Sequence, residues 1–413
     1  MNPVAIEPTA PRIEWTMIIG LVGLMCVGTL FIASATMVSE ADLALPFFRQ
    51  TWFKQIVYYA VGSAAGTAVC LVPYQLFIRF ARAFYAIMIA GLAGVLVIGV
   101  SRFGARRWID LGPVQFQPSE FAKVAFILLM ADYLSRPSGE LSQMRVFLVG
   151  LAAMGVPFAL ILVEPDLGSA LVFLPTGLIM MLVAGVPLRY IWRLVGGGAI
   201  LAGLFLVDVL VAPDGWQVKL QPYQRCRLLV YFGKDCTPPE RTIRERHPEL
   251  GNDPARLAKA REQEVREHRY HSYNVDQALI SVGSGGLTGK GWRQGTQNAL
   301  GYLPRAVAHN DFIFSVIAEE SGFLGSVVVL ILYGMVLFSG IKIAGQADQM
   351  GKLVAVGVVT LLFSHVFINI GMNIRLMPVT GIPLPLLSYG GTSVVCALVA
   401  AGLMQGVYLH RQT

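Results

Sequence analysis

The sequence predicts an all-α polytopic integral membrane protein with about ten transmembrane helices and one large extracytoplasmic loop. Of its 413 residues, 55% are hydrophobic and 14% are charged, whereas about a quarter are charged in soluble globular proteins. Apolar runs of about 20 residues, long enough to cross about 30 Å of hydrocarbon, recur along the chain. This pattern excludes a cytosolic enzyme, a disordered chain, a coiled coil and a small secreted disulfide-bonded module.

The predicted spans are apolar runs that end at charged residues or at Pro and Gly. They are residues 15–38, 55–72, 84–101, 118–134, 145–163, 168–186, 192–212, 311–341, 352–372 and 385–410. The first is not a signal peptide, because its apolar run is too long and no small-residue cleavage site follows. The predicted organisation is a cytoplasmic tail at 1–14, seven helices in 15–212, an extracytoplasmic loop at 213–310 and three helices in 311–413.

The distribution of Lys and Arg between the loops predicts on which side of the membrane the termini lie. An even number of spans places both termini on one side, and the tails and short loops of that side contain more basic residues than the short loops opposite. We therefore expect both termini in the cytoplasm. The net charge of +7 includes no basic run, so loops facing lipid phosphates explain it and no nucleic-acid partner is expected.

The long loop has a highly charged middle part, residues 238–271. Asp253 and Pro254 predict a helix start, with Asp253 as the N-cap and Pro254 at the first helical position. Cys226 and Cys236 lie earlier in the loop. They can form a disulfide if the loop faces an oxidising compartment, or stay as free thiols.

Ionisable residues near the outer ends of the spans are the candidate functional groups, because charge at membrane depth is costly. Each also has a structural explanation. A carboxylate at a helix start can be an N-cap, Glu120 and Lys123 can neutralise each other one turn apart, and Trp108 can be an interfacial anchor. The ionisable candidates are Arg106, Arg107, Glu120, Lys123, Glu164, Asp166, Lys290 and Asp311, and the aromatic residue Trp108 lies beside the two arginines.

Several other motifs fail on inspection. The segment SGGLTGKG at 284–291 resembles a phosphate-binding loop, but Ser284 replaces its first Gly and Gly291 its final Ser or Thr. No His or Cys cluster has zinc spacing.

From the residues alone, the chain is either an enzyme acting on a lipid-linked substrate or a transporter such as a flippase.

Seven segments, taken in order, resemble the SEDS family (shape, elongation, division and sporulation proteins). They are GARRWIDLG at 104–112, QPSEFAK at 117–123, PDLG at 165–168, GSGGLTGKG at 283–291, DFIF at 311–314 leading to AEE at 318–320, PVTGIPLP at 378–385 and SYGGTS at 388–393. The chain departs from the family in a longer stretch before Asp311, in Arg375 where Gly is common, and in an insertion at about 236–270.

The resemblance implies a multi-pass protein of the bacterial inner membrane with both termini in the cytoplasm. It implies a peptidoglycan glycosyltransferase that polymerises lipid II into β-1,4-linked glycan with release of undecaprenyl pyrophosphate. The short tails resemble elongation-type members, which act in cell shape; a division-type role is the alternative within the family. A class B penicillin-binding protein transpeptidase and other elongation-complex membrane proteins are the implied partners.

The resemblance also implies roles for single residues. Asp311 is the expected base for the acceptor hydroxyl. Cations meet the negative charge that develops on the pyrophosphate. A divalent cation, Mg²⁺ or Mn²⁺, can share this task, with Glu120 and Asp311 as its possible ligands, and no organic cofactor is expected. The expected substrate-binding residues are Arg106, Arg107, Trp108, Glu120, Lys123, Lys290 and Ser388, and the expected structural residues are Pro118 and Asp166.

Overall fold

The computed structural model describes residues 13–37, 46–102, 105–110, 112, 115–211, 229, 231–232, 253–303 and 308–411. A helix occupies each predicted span, which confirms the all-α membrane fold class. The helices are α1 (Trp15–Thr36), α2 (Thr51–Leu71), α3 (Tyr74–Arg79), α4 (Ala81–Ile98), α5 (Pro118–Leu134), α6 (Ser138–Leu141), α7 (Met144–Val163), α8 (Leu167–Leu171), α9 (Phe173–Ala184), α10 (Leu188–Val211), α11 (Pro254–Ser284), α12 (Thr296–Ala299), α13 (Ile313–Gln346), α14 (Gln349–Asn373) and α15 (Gly391–Leu409), with a 3₁₀ turn at Phe47–Arg49.

Eight helical segments of the described chain are long and apolar enough to cross a membrane: α1, α4, α7, α8 with α9, α10, α13, α14 and α15. Helices α2 and α5 match the remaining two predicted spans, and α5 has the predicted bounds, 118–134. Two thirds of the apolar windows of α14 and α15 are buried, against 6% for α10. Helices α14 and α15 are therefore central, and α10 lies at the periphery.

The sheet formed by residues 100–116 was not predicted. Strands β1 (Val100–Arg102), β2 (Ala105–Asp110) and β3 (Gln115–Phe116) form a three-stranded antiparallel sheet in that order. The predicted span 84–101 was too long at its end, because α4 stops at Ile98 and the chain continues as β1. Side chains alternate along a strand, so Arg106 and Trp108 share one face of β2 and Arg107 lies on the other.

Helix α13 is broken at Gly322, which has φ 67° and ψ −161°. The 24 residues after this break span about 36 Å, enough for the bilayer without the preceding turns. The predicted span 311–341 is therefore not one continuous helix, and Glu319 and Glu320 lie on the short part before the break. The Ser34 hydroxyl, near the end of α1, donates to both carboxylate oxygens of Glu320 at 2.6 and 2.8 Å, which places the glutamates at the end of the bundle.

Helix α11 begins as predicted. The Asp253 carboxylate accepts a hydrogen bond from the Ala255 amide at 3.0 Å, and Pro254 is the first helical residue. Near its other end, Asp276 accepts from Arg375 at 2.9 Å, so Arg375 joins α11 to the segment after α14. Cys226 and Cys236 lie outside the described residues. The first part of the predicted insertion, residues 236–252, also lies outside them.

Candidate functional site

Asp311 lies just before α13, half-buried, at the end of the bundle where α14 finishes. Its backbone carbonyl accepts hydrogen bonds from the side-chain amides of Asn369, at 3.0 Å, and Asn373, at 3.1 Å. A Cβ on Gly381 would lie 3.6 Å from Asp311 Oδ2, so Gly381 lies directly beside the carboxylate. The N-cap position of α13 is Phe312 and not Asp311.

The segment after α14 holds the loop that carries Asp311. The Ser388 hydroxyl donates to the Asn310 carbonyl at 2.5 Å and accepts from the Leu384 amide at 2.8 Å. The Tyr389 amide donates to the His309 carbonyl at 2.9 Å. The predicted substrate-binding role of Ser388 stays a prediction, but in this arrangement its buried hydroxyl positions the neighbour of Asp311.

Arg107 connects strand β2 to the turn between α7 and α8. Its Nε donates to the Glu164 carbonyl at 3.3 Å, its Nη2 donates to the Pro165 carbonyl, and its Nη1 lies 3.7 Å from Asp166 Oδ2. The guanidinium is thus engaged within the protein. Arg106, the preceding residue on the strand, is exposed and faces solvent.

Asp166 is the N-cap of α8. Its two carboxylate oxygens accept from the amide and the hydroxyl of Ser169, both at 3.0 Å. A Cβ on Gly168 would lie 2.7 Å from the Thr380 carbonyl, so glycine is required for this close approach. Since Gly381 follows Thr380, the start of α8 packs against the segment beside the Asp311 carboxylate.

Glu164 is buried, and neither carboxylate oxygen has a hydrogen-bond partner among the described residues. Burial raises the pKa of Glu164 to about 8; the nearby Asp166 carboxylate adds to the rise, and Arg107 opposes it. The folded protein therefore holds this proton at neutral pH, whereas the unfolded chain releases it near pH 4.3.

We expect the contribution of Glu164 to stability to fall as the pH rises from about 4.3 to about 8, because the folded state binds more protons across that window. Glu164→Gln mimics the protonated acid and should remove this dependence. The measurement is the thermal unfolding midpoint of both proteins in detergent between pH 4 and pH 9. The midpoints should agree at the acid end, and the variant should be the more stable above pH 8. A constant difference at every pH would contradict the assignment.

Glu120 and Lys123 form a buried pair inside α5, which begins at Pro118. Lys123 Nζ lies 2.6 Å from Glu120 Oε1 and 3.0 Å from His365 Nε2 of α14. The adjoining cavity of about 20 Å³ has room for one water molecule and not for a sugar. It is lined by Glu120, Lys123, Leu361, Leu362, His365, Pro385, Ser393, Cys396 and Ala397.

Lys290 belongs to a separate cluster beside the break in α13. Its Nζ lies 2.6 Å from Glu319 Oε1 and 2.7 Å from the Thr296 hydroxyl. The amides of Lys290 and Gly291 donate to the carbonyls of Glu319 and Glu320. The glycine-rich stretch thus fastens the end of α11 to α13, and Lys290 has a structural partner.

Asn369, Asn373 and His365 were not singled out from the sequence. They lie four residues apart on α14, so they form one stripe on the helix. Polar residues at this spacing within an apolar span are the signal that could have identified them. The stripe contacts Lys123 at one end and the backbone of Asp311 at the other.

Comparisons with known proteins identify the family of the chain. The sequence model of the FtsW, RodA and SpoVE family, described as cell cycle protein, matches residues 14–240 and 256–413. The peptidoglycan glycosyltransferase MrdB of Escherichia coli (strain K12) is 32% identical over 402 residues, which cover 97% of this chain and 95% of the relative. The peptidoglycan glycosyltransferase RodA of Treponema pallidum (strain Nichols) is 32% identical, covering 95% of this chain and 97% of the relative.

Solved structures have the same fold. One is a chain of a peptidoglycan synthase complex with coordinated polymerization and crosslinking, at a TM-score of 0.71 and 27% identity, covering 96% of this chain and 98% of that chain. Another is the rod shape determining protein RodA of Thermus thermophilus, at a TM-score of 0.63 and 26% identity, covering 98% and 100%. From the full-length match and the fold, the chain belongs to the FtsW/RodA/SpoVE family, which is the SEDS family.

Proposed function

We propose that this chain is a peptidoglycan glycosyltransferase that polymerises lipid II at the outer face of the bacterial cytoplasmic membrane. The names of two relatives with 32% identity across almost the whole chain support the activity. The single observation that carries the assignment to a site is the half-buried Asp311, whose backbone is fixed by two asparagines beside Gly381. The similarity to RodA and MrdB favours an elongation role over a division role.

The chemistry needs one displacement. Asp311 accepts the proton of the acceptor 4-hydroxyl as that oxygen attacks C1 of the donor sugar. The bond from C1 to the pyrophosphate oxygen breaks, undecaprenyl pyrophosphate leaves, and the α-linked donor becomes a β-1,4-linked product. Because the configuration inverts once, no covalent intermediate on the protein is required.

Of the predicted cations, Arg106 is the one available to meet the leaving pyrophosphate. The other predicted cations, Arg107, Lys123 and Lys290, already contact carboxylates of the protein. Arg106 is exposed on β2, and its planar guanidinium suits two phosphate oxygens at once. Favourable charge at this position stabilises the negative charge that develops in the transition state.

We expect Arg106→Ala to lower kcat for glycan polymerisation about tenfold, a modest loss because water can partly replace an exposed charge. Arg106→Lys should recover part of the rate. The thermal unfolding midpoint should not change, since the exposed side chain is not packed into the bundle. Wild-type kinetics in Arg106→Ala, measured with purified protein and lipid II, would remove Arg106 from the site.

Binding of a divalent cation at the site stays a proposal, and Asp311 is the remaining one of its two predicted ligands. Glu120 does not fit that role, because the Lys123 ammonium lies 2.6 Å from its Oε1 and would repel a metal ion. In the part of the chain that the structure describes, no group of three His, Cys, Asp or Glu residues is positioned to hold a metal. A cation would therefore depend on Asp311 together with oxygens of the substrate, and activity measured with and without a chelator tests it.

Lipid tails need lateral access from the bilayer. An apolar groove of about 800 Å³ lies between α9, α13 and α14. Its lining includes Phe338, Phe363, Ile368 and Met377, and Ile368 directly precedes Asn369, which holds Asp311. The groove thus leads along the bundle towards the candidate site and supports a substrate with a polyprenyl tail.

Gel analysis of products from the purified protein and lipid II tests the proposal. Long glycan strands are expected, and their absence both with and without the transpeptidase partner would contradict the proposal.

A second experiment distinguishes the polymerase from the competing transporter function, in proteoliposomes with lipid II on the leaflet that faces the site. Polymer without movement of lipid II between leaflets supports the polymerase, whereas movement without polymer supports a flippase. A class B penicillin-binding protein is the proposed partner, in line with the synthase complex of similar fold.

A further inference from the structure

His365 contacts both the buried Glu120–Lys123 pair and the segment beside Asp311. It is 4% exposed within α14. Its Nε2 lies 3.0 Å from Lys123 Nζ, and its Nδ1 lies 3.5 Å from the Pro383 carbonyl. The two nitrogens of one ring therefore face groups of opposite hydrogen-bonding character.

The chemistry of these neighbours fixes the state of the ring. Lys123 is an ammonium, because the Glu120 carboxylate contacts the same nitrogen, and an ammonium has donors but no acceptor. The His365 nitrogen facing it must therefore be unprotonated. The single proton of the neutral ring is then on Nδ1, where it is directed at the carbonyl of Pro383.

Pro383 belongs to the segment that holds the Asp311 loop. On one side of it, the Ile382 carbonyl accepts from Asn369 at 2.7 Å, and Asn369 also donates to Asp311. On the other side, the Leu384 amide donates to Ser388, which donates to Asn310. A displacement of Pro383 would therefore reach Asp311 by two routes.

We infer that His365 is a positioning residue: as a neutral ring protonated at Nδ1, it accepts from Lys123 and donates to Pro383, and so keeps Asp311 in place. The charged groups that face the ring are Lys123 and, through it, Glu120, both on α5. The cavity beside the ring also contains Cys396 of α15, whose thiol donates to the Glu120 carbonyl at 3.2 Å. The catalytic consequence rests on the proposed function, but the state of the ring does not.

The first test is nitrogen NMR of histidine-labelled protein in lipid at pH 7, in which the signals lost in His365→Gln identify His365. The expected spectrum is that of a neutral ring with a proton on Nδ1. A doubly protonated ring, or a neutral ring with its proton on Nε2, would overturn the inference. This test does not depend on activity, so it remains decisive even if the wild-type protein makes no glycan.

The second test compares His365→Gln with His365→Leu in the polymerisation of lipid II. A glutamine can accept from Lys123 with its oxygen and donate to Pro383 with its nitrogen, whereas leucine can do neither. We expect His365→Leu to lower kcat about 10- to 100-fold with little change in KM, as for a displaced catalytic group. His365→Gln should stay within about threefold of wild type. Wild-type kcat in His365→Leu, or equal losses in both variants, would overturn the inference.

Discussion

Replacing Asp311 with asparagine is expected to lower the rate of glycan polymerisation by about 10² to 10⁴, the usual contribution of a general base. Asparagine has nearly the size and shape of aspartate, so the two bonds from Asn369 and Asn373 to the backbone at position 311 stay in place. Only the basicity of the side chain is lost. The measurement is the initial rate with purified protein and lipid II, together with the affinity for lipid II, which should change little.

The matched control is Asp132→Asn. Asp132 lies near the far end of α5 and forms a partly exposed ion pair with Arg82 at 3.2 Å. It is remote in sequence and in the bundle from the residues around Asp311, so polymerisation should be unaffected. Near-normal polymerisation by a well-folded Asp311→Asn protein would exclude Asp311 as the base.

Replacing both Asn369 and Asn373 with leucine is expected to lower kcat about 100-fold, because a small displacement of a catalytic group can have that cost. These side chains supply the two hydrogen bonds to the Asp311 carbonyl. Asn373 also accepts from the Ser315 hydroxyl at 2.6 Å. The variant leaves the Asp311 carboxylate chemically intact, so a loss of kcat reports its position and not its basicity.

Gln405→Leu is the matched control for this pair. Gln405 is also a buried amide in a transmembrane helix, but neither end of its side chain has a hydrogen-bond partner among the described residues. Replacing it with leucine should leave kcat unchanged and should preserve or raise the unfolding midpoint. If the asparagine variant and the glutamine variant behaved alike, the asparagines would have no special role in positioning Asp311.

The parts of this fold that depend on local composition were predictable. An apolar run of membrane length is itself the signal for a span, and α5 and the start of α11 follow the prediction closely because Pro118 and Pro254 mark the first helical residues. The location of Asp311, Arg107 and Asp166 at one end of the bundle was also predictable, because all three lie beside the ends of predicted spans.

The partners of these residues were not predictable, because they depend on contacts between distant segments. The sequence could not reveal that Arg107 would bind the turn before α8, leaving Arg106 exposed. It could not reveal that Lys290 would pair with Glu319, since that pairing depends on the break at Gly322. The asparagines that hold Asp311 follow it by about 60 residues, and only the packing of α14 against the start of α13 brings them together.

The most direct test of the central claim is a structure of the protein with a lipid II analogue bound, determined in a lipid environment. The account predicts that the acceptor 4-hydroxyl lies within about 3 Å of an Asp311 carboxylate oxygen, the reach of a general base. It also predicts the pyrophosphate of the donor on the side of Arg106. An acceptor sugar seated elsewhere on the protein, with the Asp311 carboxylate out of reach of every sugar hydroxyl, would contradict it.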